Sequence, residues 1–281
     1  MTADSATVRF LEDPADALAL AEGFLASDPV RHNIVLSLLR ARVGAPEPGR
    51  YWVLLDGREA CGVVFQSPLD FVATITPMDA RRAAAAVDAV AGAGVALPGV
   101  SGEAAAAAAF AGQWTERTRS GAVPVQGLRI YELAGDPVAA PVPGVLRPAV
   151  EDDGPVVAEW FAGFFEDTGE TIGDPTRLAA QRLEAGELWL WDDGGPVSMT
   201  GLAPPEAGVV RVGHVFTPRA ERGSGYATAL VAATSGAARA QGRRCILYTD
   251  LGNPTSNAIY RAIGYRPVTE CLKYRFEALP G

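Results

Sequence analysis

His214-Val-Phe-Thr-Pro-Arg-Ala-Glu-Arg-Gly-Ser-Gly-Tyr-Ala-Thr-Ala-Leu-Val231 is the stretch whose reading decides the fold. Leading into it, Val209-Val210-Arg211-Val212-Gly213-His214-Val215-Phe216 is β-branched and bounded by Pro218, which predicts a strand. Beyond it the pattern predicts a helix from about Gly225 to Arg239 that stops near Gly242, with only Gly236 to weaken it. Between them lies Arg222-Gly223-Ser224-Gly225, a turn whose glycines tolerate unusual dihedrals and close backbone approach. A strand that feeds a glycine-rich turn and then a helix start presents unpaired N–H groups at the positive end of a dipole. That is an anion site, most naturally one for phosphate.

Two common phosphate loops do not fit these residues. A P-loop needs Lys-Ser/Thr after its last glycine, where this chain has Tyr226-Ala227. The dinucleotide fingerprint needs three spaced glycines and an acidic residue roughly 20 positions on, and only Gly223 and Gly225 are in place. The turn instead resembles the acyl-CoA signature of the GNAT acetyltransferase superfamily, Arg/Gln-x-x-Gly-x-Gly/Ala, through Arg222, Gly225 and Ala227. A second pattern follows in the family's order. Cys245-Ile-Leu-Tyr-Thr-Asp250 reads as another apolar strand. After it, Leu-Gly-Asn253-Pro-Thr-Ser-Asn257-Ala-Ile-Tyr260-Arg-Ala-Ile-Gly264-Tyr265 resembles the Asn-bearing turn, Tyr-bearing helix and Leu/Ile-Gly-Phe/Tyr of GNAT enzymes. The resemblance covers roughly residues 145–277.

This resemblance implies acetyl-CoA as cosubstrate and direct transfer of its acetyl group to an amine. In the family the motif strand and the next one splay apart, and strand N–H groups, here those of Val215, Phe216 and Thr217, hold the pantetheine arm. The diphosphate then falls to the N–H groups of Arg222, Gly223, Ser224, Gly225, Tyr226 and Ala227. Tyr260 matches the tyrosine that donates a proton to the leaving sulfur, which a phenol of pKa ~10 can do at modest driving cost. Asn253 and Asn257 hydrogen-bond the pantetheine or cap the helix. Many relatives carry a Glu on the motif strand, where this one offers only Arg211 and His214. His214, of ordinary pKa ~6.5, is a base if it faces the acceptor cleft and idle if it faces away. Glu166 and Glu170 are its rivals, because they fall in a bend between two expected helices that borders the acceptor site in the family. Trp189 and Trp191 read as core rather than as a substrate platform.

Composition sets the outer bounds. A chain of 281 residues suits two domains of ordinary size, and 48% apolar against 20% charged residues gives ample core. No apolar run reaches the ~18 residues of a membrane helix, and no basic stretch followed by an apolar one opens the chain. A cytoplasmic protein without a membrane partner is therefore expected. Cys61, Cys245 and Cys271 sit in strand-like apolar surroundings, as buried thiols of a reducing compartment do. Two histidines without a Cys/His cluster predict no metal. The net charge of −9 argues against nucleic acid, since neutralising phosphates takes basic patches. That charge suits a cationic amine, although solubility alone explains it. Both a monomer and a homodimer remain open.

Residues 1–140 read as a worn copy of the second half. Thr7-Val-Arg-Phe-Leu11 predicts a strand, and Asp13-Pro14 and Asp28-Pro29 open helices, with His32 and Asn33 as capping or surface groups. Residues 51–55 and 61–65 make a hairpin around Asp56-Gly57. Thr76-Pro77 falls on Thr217-Pro218 at a shift of 141 and Arg81 on Arg222, but Arg82-Ala83-Ala84 replaces Gly223-Ser224-Gly225. Side chains there fill the space a pyrophosphate needs, so a helix is expected without a cradle. Opposite the Tyr260 helix stands an alanine-rich segment, 102–112, without catalytic chemistry.

The expected division is a degenerate GNAT-like domain at 1–137, a proline-rich linker at 138–144 and a catalytic GNAT domain at 145–281. Each is α/β (α+β), with a mixed, mostly antiparallel twisted sheet flanked by helices. In the second, a strand at Val145-Leu146, helices from Asp152 and from Asp174-Pro175 and a hairpin at 188–202 precede the motif strand. Cys271-Leu-Lys-Tyr-Arg-Phe276 closes the sheet at its end. The expected activity is acetyl-CoA-dependent N-acetylation of a primary amine on a small molecule or peptide. Two other readings stay open: a non-catalytic acyl-CoA-binding or sensing module, and a tandem acetyltransferase of the mycothiol-synthase type.

Overall fold

A computed structural model describes residues 6–169 and 173–279. The first half of the chain runs β1 (Thr7–Leu11), α1 (Pro14–Ser27), α2 (Asn33–Gly44), β2 (Arg50–Asp56), β3 (Glu59–Gln66), β4 (Ala73–Ile75), α3 (Ala80–Gly92), β5 (Gly99–Glu103), α4 (Ala104–Thr118) and β6 (Ser120–Leu133). The second half runs β7 (Val145–Pro148), α5 (Gly154–Thr168), α6 (Pro175–Glu184), β8 (Leu188–Asp192), β9 (Pro196–Leu202), β10 (Val209–Phe216), α7 (Tyr226–Ala240), β11 (Arg244–Asp250), α8 (Pro254–Ile263) and β12 (Tyr265–Ala278). These elements form two compact units. The first holds the described residues up to Ile130, residues 250–252 and those from Val268 onward; the second holds Tyr131–Thr249 and Asn253–Pro267.

In the first unit the strand order is β1-β2-β3-β4-β5-β12, antiparallel except for the β4–β5 pair. The apolar run at 51–55 is continuous because helices cover both sides of its strand. Tyr51, Val53, Val63 and Phe65 pack under α1 and α2, while Trp52, Leu54 and Val64 pack with α3 and α4. Residues 28–32 form a turn, so α2 begins at Asn33 and not at Asp28-Pro29. His32 and Asn33 are buried instead of exposed. The His32 ring lies 4.4 Å from Phe24, and its Nδ1 is 3.1 Å from the Phe24 carbonyl oxygen. That carbonyl belongs to the last turn of α1, where acceptors lack intrahelical partners and a ring N–H satisfies one.

The closing strand departs furthest from expectation. It does not lie at the end of the second domain's sheet: β12 pairs with β5, from Cys271 opposite Glu103 to Arg275 opposite Gly99. Its Tyr274 and Phe276 join the first unit's core, with Phe276 stacked 5.4 Å from Trp114. A domain spanning 145–281 therefore does not follow the units. Nor is 138–144 a free tether, since Val138 donates its N–H to the Ile263 carbonyl (2.9 Å) inside the second unit.

In the second unit β7, β8, β9 and β10 are antiparallel neighbours, and β10 pairs parallel with β11. One face packs under α5 and α6 through Val157, Trp160, Phe161, Leu190 and Met199. The other packs under α7 and α8 through Val212, Val231, Leu247, Tyr260 and Ile263. Arg147 fastens the entry to this unit. Its guanidinium donates to both Asp153 oxygens (2.7 and 2.9 Å) and to Asp192 (2.7 Å), and it holds the Asp153 carboxyl below its usual pKa. Among the described residues no helix is long and apolar enough to cross a membrane, and no group of three or more His, Cys, Asp or Glu could hold a metal ion.

Candidate active site

The β10–β11 pairing runs from Val209 opposite Arg244 to Val212 opposite Leu247 and ends there, although the strands continue to Phe216 and Asp250. The cause lies in β10 itself. Its register against β9 shifts between Gly213 and Phe216, with His214 at φ +50°. A left-handed residue other than glycine is uncommon and strained, and such strain clusters at functional positions. Val215 packs toward α7 and α8, whereas Phe216 packs toward α5. A Cβ on Gly163 would stand 2.7 Å from the Phe216 ring, so glycine is what lets α5 approach. Ser198 Oγ donates to the Phe216 carbonyl (3.0 Å) and lies 2.8 Å from Thr217 Oγ1, which fixes the strand's exit.

Arg222 opens the turn as a brace. Its Nε donates to the Thr217 carbonyl (2.9 Å), its Nη2 pairs with Asp167, and its guanidinium lies 5.7 Å from the Phe216 ring centre. Gly223 and Gly225 sit at φ +89° and +85°, where side chains are strained, and open space surrounds the Cβ position of Gly223. Ser224 is exposed. The first bond of α7 runs from the Ala229 N–H to the Gly225 carbonyl (3.0 Å), so the N–H groups of Tyr226, Ala227 and Thr228 have no helical acceptor. The Tyr226 hydroxyl donates to Asp193 (2.7 Å), which leaves its backbone as the part facing the turn. The corresponding helix of the first unit begins differently. Asp79 caps α3 by accepting the Arg82 N–H (2.8 Å), and Ala83 is fully buried.

On α8, Asn253 is the cap: its side chain accepts the Ser256 N–H (3.0 Å). Asn257 is already engaged, with Oδ1 accepting from the Tyr131 hydroxyl (3.0 Å) and Nδ2 donating to the Asn253 carbonyl (2.7 Å). These two bonds fix the amide within the second unit and use one of its two N–H groups and one lone pair of its oxygen. Tyr260 is 8% exposed, and among the described residues its hydroxyl has no hydrogen-bond partner. Burial pushes its pKa up to about 12.

His214 faces α5, ringed by Phe161 (5.3 Å), Phe164 (5.4 Å) and Phe165 (6.1 Å). Burial, followed by the nearby Arg182 and Arg211, lowers its pKa to about 4. The expected base is thus a neutral, weakly basic imidazole in this setting. Glu166 is not in a loop; it is exposed in the last turn of α5, and Glu170 lies outside the described residues. Asp167, Asp193, Tyr131 and the three phenylalanines escaped the sequence reading. Each is joined to its partner by the fold and not by local spacing. A cleft of about 370 Å³ lined by Leu202, Val210, Ala238 and Gln241 lies at the other end of β10 and α7, away from the glycine turn.

Residues 155–265 match the family model for the acetyltransferase (GNAT) family. The second unit carries a GNAT domain. No curated protein matches the chain in sequence. Among solved structures, a GCN5-related N-acetyltransferase from Sphaerobacter thermophilus is similar over 100% of this chain and 98% of its own, at 20% identity and a TM-score of 0.67. A GNAT-family acetyltransferase from Colwellia psychrerythraea matches over 97% and 99%, at 11% identity and a TM-score of 0.63. A tandem GNAT protein from the clavulanic acid biosynthesis pathway matches over 98% and 100%, at 13% identity and a TM-score of 0.58. Such coverage fits two GNAT-like domains in one chain, and the GNAT fold supports acyl transfer as the general chemistry.

Proposed function

We propose that the second unit binds acetyl-CoA and transfers its acetyl group directly to a primary amine of a small molecule or peptide. The observation that carries this reading is the end of the β10–β11 pairing at Val212, beside a left-handed glycine turn at a helix start. The residues fit the cosubstrate: Gly223 leaves open space at its Cβ position, and the N–H groups at the start of α7 that lack a helical acceptor can hold an anion. Bound acetyl-CoA supplies the activated acetyl thioester. Backbone N–H groups of Val215, Phe216 and Thr217 orient the arm, and those from Arg222 to Ala227 hold the diphosphate. As the C–N bond forms and the C–S bond breaks, Tyr260 gives its proton to sulfur, and the proton lost by the nitrogen leaves to solvent and restores the phenol.

A conjugate acid of pKa about 4 makes His214 a poor base for an ammonium of pKa ~9–10, a mismatch of roughly 7–8 kcal/mol. Its fitting role is to accept a hydrogen bond from an amine that arrives unprotonated. Glu166 and Glu170 keep their place as candidate bases. A Tyr260 hydroxyl that no described protein group claims favours catalysis over an acyl-CoA sensor, because simple binding gives no reason to hold one there.

One acetyl-CoA per chain is expected, because Asp79 and Ala83 close the first unit's helix start. Calorimetry that finds two equivalent sites per chain defeats that expectation, and CoA release with a panel of amines tests the reaction itself.

The His214 shift also predicts a pH dependence of stability. The unfolded ring takes up a proton near pH 6.5 and the folded ring only near 4, so the stability due to the neutral ring is complete above 6.5 and lost as pH falls toward 4. Between pH 7.5 and 5 the wild type should lose at most about 2 kcal/mol more than His214→Asn, a variant that tolerates the positive φ. Equal losses in urea unfolding at the two pH values would show that the ring is not desolvated.

A further inference from the structure

We propose that residues 134–144 are a strap that positions the glycine turn for its anion, with Val142 as the positioning residue; this rests on the acetyl-CoA reading above. The strap is fastened along its whole length within the second unit. Ala134 and Val138 donate their N–H groups to the carbonyls of Gly264 (3.3 Å) and Ile263 (2.9 Å). Pro137 lies 3.3 Å from where a Cβ on Gly236 would stand, so the one glycine inside α7 is where the strap crosses it. Farther on, the Trp191 indole N–H donates to the Pro143 carbonyl (2.8 Å). Gly144, at φ +101°, fits there only without a side chain, since a Cβ would meet the Asp192 carbonyl oxygen at 2.6 Å.

These anchors bring Val142 onto the turn. Its Cγ1 lies 3.1 Å from the Cβ position of Gly225, and it packs with Trp191, Leu230 and Tyr226. A glycine at a helix start is free to leave the one conformation in which successive N–H groups converge. A wall on its open side holds it there before any ligand arrives, and preorganised donors bind without reorganising. Pro137, Pro141 and Pro143 stiffen the strap itself.

The test uses Val142→Ala, which removes the wall, and Trp191→Phe, which removes the indole N–H but keeps a ring. In calorimetry with CoA, the Kd should rise about 3–10-fold for Val142→Ala and less for Trp191→Phe. Together they should raise it by less than the product of the two, because they loosen one device. kcat at saturating acetyl-CoA should stay within about twofold, since Val142 restricts binding geometry and touches no reacting atom. Unchanged Kd in both variants overturns the strap, as does a lowered Tm with unchanged Kd, which would make Val142 plain core. A wild type that fails to bind CoA overturns the acetyl-CoA reading and the strap's purpose with it, whereas tight wild-type binding isolates the strap as the point at issue.

Discussion

Tyr260→Phe is expected to lower kcat by about 10²–10⁴-fold and to leave the Kd for acetyl-CoA nearly unchanged. That loss is equivalent to roughly 3–5 kcal/mol of barrier, the usual worth of a well-placed general acid. The expectation is specific because the phenylalanine ring still fills the space among Val231, Leu247 and Ile263. Only the O–H disappears, and among the described residues that group bonds to nothing. The lost O–H breaks no hydrogen bond of the fold, so the variant's Tm should lie close to the wild type's. Lower activity with unimpaired stability separates catalysis from packing. The pH profile carries a further expectation. With the phenol pushed up to about 12, its ionisation draws no alkaline limb below about pH 10, where an unperturbed tyrosine would begin to titrate. Retained kcat within a factor of about three would mean that water protonates the thiolate and that Tyr260 is core.

Much of the local geometry around the candidate site was legible because its signals are local. The Gly223-Ser224-Gly225 turn, the strand before it and the Asn253 cap each depend on residues a few positions apart, and backbone sterics alone demand them. The helix start of the first unit was legible for the same reason, since Asp79 is a capping residue and Arg82-Ala83-Ala84 are helix formers. What stayed hidden was decided at long range. The pairing of Cys271 with Glu103 depends on which sheet has an unfilled edge, and the alternation in 271–276 fits any edge. The weak basicity of His214 comes mainly from burial under α5, then from Arg182 on α6 and Arg211 on its own strand; only the last of these is visible in the strand's sequence. The partner of Asn257 was hidden in the same way: Tyr131, far away in sequence, donates to its side-chain oxygen.

Gly225→Val is expected to weaken CoA binding more than about 100-fold, equivalent to roughly 3 kcal/mol or more, with the fold kept. Two effects coincide at this position. A β-branched residue at φ +85° pays local backbone strain of about 1–3 kcal/mol, and it can relieve that strain by rotating its N–H out of the cradle. Its Cβ would also stand 3.1 Å from Val142 Cγ1, on a segment anchored at Ile263 and Trp191 and therefore slow to give way. The fold should survive because the turn is exposed and α7 is held by Leu230 and Val231, both fully buried. Strain alone is separated from loss of the site by Gly242→Val. Gly242, at φ +75° just past the end of α7, has nothing within 4 Å of its Cβ position. That variant should lose comparable stability yet bind CoA as the wild type does. Normal CoA binding by Gly225→Val would reduce the glycine turn to a chain reversal and return the search for the anion site to the rest of the second unit.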